Sequence, residues 1–257
     1  MILDQIVTAT KKRVADLKKA SRIEFLKSQI KLAEPPFAFE KALAGEAISF
    51  ICEVKKASPS KGIIAEAFPF LEIARDYQDA GAQAISVLTE PTFFLGANEY
   101  LTAIKKEVSI PILRKDFIID EIQIYESRQI EADAILLICS ILEPEQLKKY
   151  IGLADSLGLS VLVEAHDEAE VKTALAAGAR MIGVNNRDLK TFEVDINNSI
   201  RLRKMVPETI IFVSESGIKT VQDVNNLKIN GTNAVLIGET LMRSSNKKDE
   251  LNKLRGI

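Results

Sequence analysis

Two cysteines and one histidine among 257 residues leave little room for sulfur or imidazole chemistry. So few cysteines exclude a disulfide scaffold, and Cys52 and Cys139, each inside an apolar run, read as reduced core thiols of a cytosolic protein. The one histidine, His166, lies just beyond a strand-like run and reads as a solvent-facing residue where the next helix opens. No His/Cys/Asp grouping has metal-ligand spacing, so no metal is expected. No apolar run approaches the roughly 20 residues of a membrane span, and the N-terminus lacks the apolar centre of a signal peptide. An excess of charge of either sign is also missing. The formal net charge is -2, so bulk electrostatics point neither to nucleic acid nor to a membrane surface. Low-complexity stretches and linkers are absent. So is the dinucleotide fingerprint G-x-G-x-x-G, because the turn after the first strand-like run reads KKASPSKG.

The composition, 47% hydrophobic and 27% charged, suits a soluble chain with a large core. The first 31 residues carry eight Lys or Arg against three Asp or Glu, and Ile6, Val14 and Leu17 recur at helical intervals. An amphipathic helix with a solvated basic face is expected there; Asp4 and Asp16 argue against a transit peptide. Pro35-Pro36 ends this region. From Ser49 onward one pattern repeats, in which a helix-like stretch ends at Gly or a polar residue and a β-branched apolar run follows. The runs are 49–52, 80–88, 110–113, 131–138, 157–164, 177–184, 210–213 and 230–238, starting roughly 20 to 35 residues apart. Each gap holds a loop and a helix, as parallel connections require, and unbroken apolar runs fit strands buried on both faces. Asp167 with Glu170 reads as a capping box with Gly178 as its stop. Pro144 reads as a first-turn proline, with that helix ending near Gly158, and Thr220 and Gly231 bracket another helix. Eight such units predict an α/β protein, a (β/α)8 TIM barrel with an N-terminal helical extension. Residues 1–47 form the extension and 48–257 the barrel of one domain; a doubly wound open sheet is the main competitor.

In a barrel the residues ending the strands face one mouth. Glu53 and Lys55 lie two apart and share a face, while Cys52 points away. The third strand ends in Arg114, Lys115 and Asp116, the fifth in Glu164, the sixth in Asn185 and Arg187, the seventh in Glu215, Ser216 and Gly217, and the eighth in Gly238 and Glu239. The set implies lysine and carboxylate acid–base work on an anionic substrate without metal. Glycines after strands seven and eight sit where barrels cradle phosphate. Each residue also has a plainer reading. Glu53 and Lys55 could be a structural ion pair, Lys115 part of a charge network, Glu164 a helix cap, Glu215 a partner for Arg187, and the glycines turn residues. These readings weaken together, because five strands place polar groups at the same end.

The residues resemble the indole-3-glycerol phosphate synthase family over nearly the whole chain. The motifs are E-x-K-x-x-S-P-S-x-G at 53–62, LTE at 88–90 with Phe93, Phe94 and Gly96 after it, and LRKDF at 113–117. LVE at 162–164, IG-x-N-x-RDL at 182–189, SESGI at 214–218 and LIGE-x-LM at 236–242 follow. The resemblance implies ring closure of 1-(2-carboxyphenylamino)-1-deoxyribulose 5-phosphate, with loss of carbon dioxide and water. It implies Lys115 as the general acid at the ketone oxygen, its pKa lowered by Lys55, and Glu164 as general acid/base of dehydration. Glu53 and Asn185 would orient the intermediate, Lys55 and Arg187 would hold anionic groups, and Glu215 would brace that network. Ser216, Gly217, Gly238 and the backbone of Glu239 would take the phosphate. Ser58 and Leu236 would join in binding, and Phe117 and Leu136 would wall the aromatic ring. The loop from Ser58 to Gly62 would form a mobile rim. The expected partner is a phosphorylated small molecule, with no cofactor, in a cytoplasmic monomer or weak dimer. A related phosphoribosylanthranilate isomerase would need a cysteine base after strand one and an aspartate after strand five, and this chain has neither there. A non-catalytic phosphate-binding barrel would not need both Lys115 and Glu164.

Overall fold

The computed structural model describes residues 1–20, 23–188 and 191–257. Leu189, which closes the RDL motif, lies outside them. Eight parallel strands close into a barrel: β1 (Ser49–Val54), β2 (Ala84–Leu88), β3 (Ile112–Lys115), β4 (Ala134–Ile138), β5 (Ser160–Ala165), β6 (Met181–Asn185), β7 (Ile211–Glu215) and β8 (Ala234–Ile237). Closure is made by β1 against β8, with Ser49 opposite Ala234 and Cys52 opposite Ile237. The open-sheet alternative is thereby excluded.

Strand alternation sorts the residues. Ile51, Leu113, Leu136, Leu162, Met181, Val213 and Leu236 point into the barrel and pack as one buried cluster. The alternate residues, Cys52 and Val54 on β1 and Val161 and Val163 on β5, pack outward against the helices. Cys52 therefore faces away from Glu53, as expected. The outer ring consists of α4 (Phe70–Asp79), α5 (Asn98–Lys105), α6 (Glu121–Gln129), α7 (Pro144–Ser156), α8 (Glu168–Ala176), α9 (Asn197–Arg203), α10 (Val221–Ile229), α11 (Glu239–Arg243) and α12 (Lys247–Arg255). The punctuation read from sequence holds fully at two of them and in part at a third. Pro144 is the first residue of α7, Thr220 and Asp223 form a reciprocal capping box on α10, and Asp167 caps α8 by accepting from the Glu170 amide. Glu170 departs from the box, since its carboxylate turns back to His166 instead of to the Asp167 amide.

Before β1 lie α1 (Ile2–Ala20), α2 (Ile23–Gln29) and α3 (Ala38–Leu43). They serve opposite ends of the barrel. Phe39 and Leu43 of α3 are fully buried in the interior cluster, and the Glu40 amide donates to Ser160 Oγ at the start of β5, so α3 plugs the floor. Burying two such side chains contributes on the order of 2 kcal/mol each. Helix α1 lies at the mouth, with Ile6 and Val14 buried. Its basic face is not simply solvated, as the sequence suggested. Arg13 forks onto Asp116 at 2.6 and 3.0 Å, and Lys18 reaches Asp120 at 2.6 Å. Both acids follow β3, so the helix is pinned beside Lys115.

Candidate active site

The carboxyl ends of the strands surround a cavity of about 580 Å³. The fifteen residues to which the resemblance gives a role all line it, and so does Asp116, whereas Arg114, expected at the mouth with them, does not. Glu53, Lys55, Lys115, Glu164 and Asn185 stand on the strand ends, and Ser58 on the loop after β1. Phe117, Leu136 and Leu236 form apolar wall, and Arg187, Glu215, Ser216, Gly217, Gly238 and Glu239 complete the rim.

At the centre is a charge cluster. Lys115 Nζ donates to Glu164 Oε2 at 3.0 Å and lies 3.2 Å from Glu215 Oε2. Both carboxylates are buried. Burial opposes charge on Lys115, but Glu164, Glu215 and Glu53 outweigh it and raise its pKa. This corrects the expectation that Lys55 would lower it. Lys55 lies 2.5 Å from Glu53 Oε1, so its charge is matched before it can repel Lys115. Burial likewise raises both acids, and the single ammonium cannot hold two anions equally. Glu164, served by Lys115 and then His166, is held well below the usual carboxylate range. Glu215, chiefly through burial, is pushed up to about 7, and its Oε1 has no hydrogen-bond partner. Glu215 thus braces Lys115, rather than serving Arg187.

Asn185 ties the cluster to the next loop. Its Nδ2 donates to Glu164 Oε1 at 3.2 Å and its Oδ1 accepts from the Arg187 amide at 3.0 Å. Arg187 in turn donates to the Phe192 carbonyl at 3.1 Å, which holds its guanidinium at the rim. Arg114, next to Lys115 but of opposite strand parity, points outward. It is 1% exposed and bonds Thr89, Ser127, Asp116 and Glu126, so it locks the β3 end from behind. Glu90 spends its carboxylate on the amides of Thr92, Phe93 and Phe94 at 2.6 to 3.1 Å. That fixes Phe94 at the cavity, where it packs 6.0 Å from the Phe117 ring.

The far rim is built for close approach. Ser216 and Gly217 are both left-handed, with φ of 69° and 85°. Gly238 opens α11, and a Cβ there would collide with Glu53 Oε1 and crowd Lys55 Nζ. The Glu239 carboxylate turns to Arg243 at 3.1 Å and lies 3.9 Å from Lys61, which leaves its backbone to the rim. The loop after β1 is a small hairpin, Ala57–Ser58 pairing antiparallel with Gly62–Ile63.

Some of the lining was missed in the sequence. Ile2, Leu3 and Ile6 of α1 add apolar wall. The periodicity of α1 marked Ile6 as inward, but not what it faces. His166 is the second miss, since its side chain is 16% exposed and wedged between Glu164 and Glu170. Among the described residues no group of three His, Cys, Asp or Glu is arranged to hold a metal, and no helix is long and apolar enough to cross a membrane.

A (β/α)8 barrel with a lysine–carboxylate cluster at its carboxyl mouth and a glycine-lined rim after β7 and β8 defines an enzyme of the phosphate-binding barrel class. The family model for indole-3-glycerol phosphate synthase matches residues 3–254, and this chain belongs to that family. The chain is 62% identical to the indole-3-glycerol phosphate synthase of Ruminiclostridium cellulolyticum, covering 100% of this chain and 99% of that protein. The enzyme of the same name from Endomicrobium trichonymphae is 56% identical over 99% of this chain and 100% of its own. Among solved structures, 3-hexulose-6-phosphate synthase from Salmonella typhimurium aligns with a TM-score of 0.66 at 16% identity, over 81% of this chain and 97% of that one. At that identity it speaks for the barrel alone.

Proposed function

We propose that this cavity closes the indole ring, converting 1-(2-carboxyphenylamino)-1-deoxyribulose 5-phosphate into indole-3-glycerol phosphate for tryptophan biosynthesis. The observation that carries the proposal is the Lys115–Glu164–Glu215 cluster, a largely buried ammonium between two acids of unequal charge at an open mouth. The ring carbon bearing the carboxylate attacks the ketone, and Lys115 gives its proton to the ketone oxygen. Carbon dioxide then leaves and returns its electron pair to the ring. Loss of the carboxylate as carbon dioxide consumes one proton overall, and Lys115 recovers it from solvent. Glu164, ionised at rest, takes the proton from the carbon beside the amine and delivers it to the departing hydroxyl, which leaves as water. A positioned acid or base of this kind contributes about 10² to 10⁴ in rate.

Glu53 and Asn185 orient the intermediate, with Glu53 neutralising Lys55 until the substrate's carboxylate arrives. Arg187 and Lys55 serve the anionic groups. The backbone around Ser216, Gly217, Gly238 and Glu239 takes the phosphate, with Ser58 at the rim. Phe117, Leu136, Leu236 and the α1 side chains exclude water around the aromatic ring, which strengthens every charge contact inside. The chain acts in the cytoplasm as a monomer or weak dimer, without cofactor, metal, nucleic acid or membrane. The test is indole fluorescence from that substrate with purified protein in a chelator. Steady turnover is expected; folded protein that releases no indole product would refute the assignment.

A further inference from the structure

The Glu164 carboxylate is flanked by a residue that the cavity does not contain. His166 follows β5 by one residue and does not line the site. Its Nε2 stands 3.2 Å from Glu164 Oε1, without the alignment of a hydrogen bond, so the link is a charge contact. Its Nδ1 lies 3.0 Å from Glu170 Oε2, and the same oxygen accepts the His166 amide at 2.8 Å.

A neutral imidazole would turn one unprotonated nitrogen toward a carboxylate oxygen, whichever tautomer it adopted. Only the imidazolium suits both neighbours. The other groups around it do not disturb this. Asp167 accepts from the Glu170 amide, and Glu168 pairs with Arg201. Cys139 donates its thiol to the Glu170 carbonyl at 3.5 Å, and Asn198 of α9 donates to the His166 carbonyl at 2.9 Å. Lys115 holds the opposite oxygen of Glu164. Burial alone would lower the His166 pKa, but Glu164 and Glu170 push it up to about 10.

We propose that His166 is the positioning residue of Glu164: clamped by Glu170 at the start of α8, its imidazolium pins Glu164 Oε1 from behind and keeps Oε2 on Lys115. The consequence is a chain of alternating charge, Glu170–His166–Glu164–Lys115, that acts with the Asn185 amide, which also donates to Oε1, to fix which oxygen of Glu164 faces the reacting atoms. The inference rests on the role assigned to Glu164 above. Paired partners of this kind around a catalytic group typically matter by about 10- to 100-fold.

Because the chain has a single histidine, its imidazole signals can be followed without assignment by mutation. Carbon and nitrogen NMR of the wild-type ring is expected to show imidazolium throughout pH 6 to 9, about. In Glu164→Gln the midpoint should fall by about one pH unit or more, since the coupling is reciprocal. His166→Asn should lose about tenfold in kcat with little change in KM. Its acidic limb of kcat should move to higher pH, because Glu164 becomes easier to protonate. A wild-type histidine titrating at its ordinary value of about 6.5 would overturn the proposal. So would a His166→Asn enzyme with wild-type kcat and acidic limb while Glu164→Gln is inactive. Full turnover in Glu164→Gln would instead remove the role of Glu164 on which the inference stands.

Discussion

Replacing Lys115 by Met keeps the length of the side chain and removes the charge on which two buried acids depend. At 3.0 and 3.2 Å, each ammonium–carboxylate contact is worth about 5 kcal/mol of Coulomb attraction at an effective dielectric of 20. Desolvation offsets part of that, and breaking a buried pair typically costs about 3 to 5 kcal/mol net. The cost should depend on pH. Without Lys115, Glu164 still has His166, but Glu215 has no cation and its pKa climbs further above the 7 or so of the intact site. A carboxyl whose folded pKa is raised contributes stability below its unfolded value of about 4.3, and that contribution is lost as pH rises through the folded value. The deficit of Lys115→Met should therefore stay near about 3 kcal/mol from pH 5 to 6.5, where Glu215 is protonated in both proteins and only the Glu164 pair is lost, and grow by about 1 kcal/mol by pH 8, where Glu215 ionises in the intact site alone. Urea unfolding of both proteins across this range measures it. Turnover at pH 5.5, where the variant is mostly folded, should fall by about 10³ or more. A deficit no larger at pH 8 than at pH 6, or turnover at pH 5.5 within tenfold of wild type, would rule this out.

Two further substitutions probe the supports of the site. Gly238→Ala places a methyl against the Glu53–Lys55 pair, so kcat should fall by about a hundredfold in steady-state assays while thermal stability changes little. Arg13→Ala frees α1 from Asp116; with Arg114 and Thr89 still on that acid, the loss should be about 1 to 3 kcal/mol in denaturant unfolding. KM should rise as Ile2, Leu3 and Ile6 loosen from the cavity, and an unchanged KM would show that α1 does not wall the substrate.

The barrel was legible because each strand opens in a short apolar run, and most of the helices between strands end at a glycine or polar stop. The mouth was legible for a related reason. A strand alternates, so Lys115 after Leu113 and Glu164 after Leu162 had to face inward once the interior leucines were assigned. Contacts between distant segments were not legible. The separation of 103 positions between Arg13 and Asp116 carries no pattern that would pair them, so the basic residues of α1 read as solvated. His166 looked like a loop residue because its partner is the side chain at the third position of the next helix, which the sequence offered as half of a capping box. The direction of the Lys115 shift failed for the same reason. Lys55 stood out as the neighbouring charge, but Glu164 and Glu215, from β5 and β7, stand 3.0 and 3.2 Å from the ammonium and Glu53 takes up the charge of Lys55.

Lys115 and Glu164 at this mouth are assigned a decarboxylating ring closure. A single-turnover experiment decides that assignment, with excess enzyme, the carboxyphenylamino-deoxyribulose phosphate, and both carbon dioxide and indole product measured. Wild-type protein should release the two in equal amounts, and Lys115→Met should release neither while remaining folded at the same pH. Carbon dioxide and indole product from folded Lys115→Met at the wild-type rate would contradict the account.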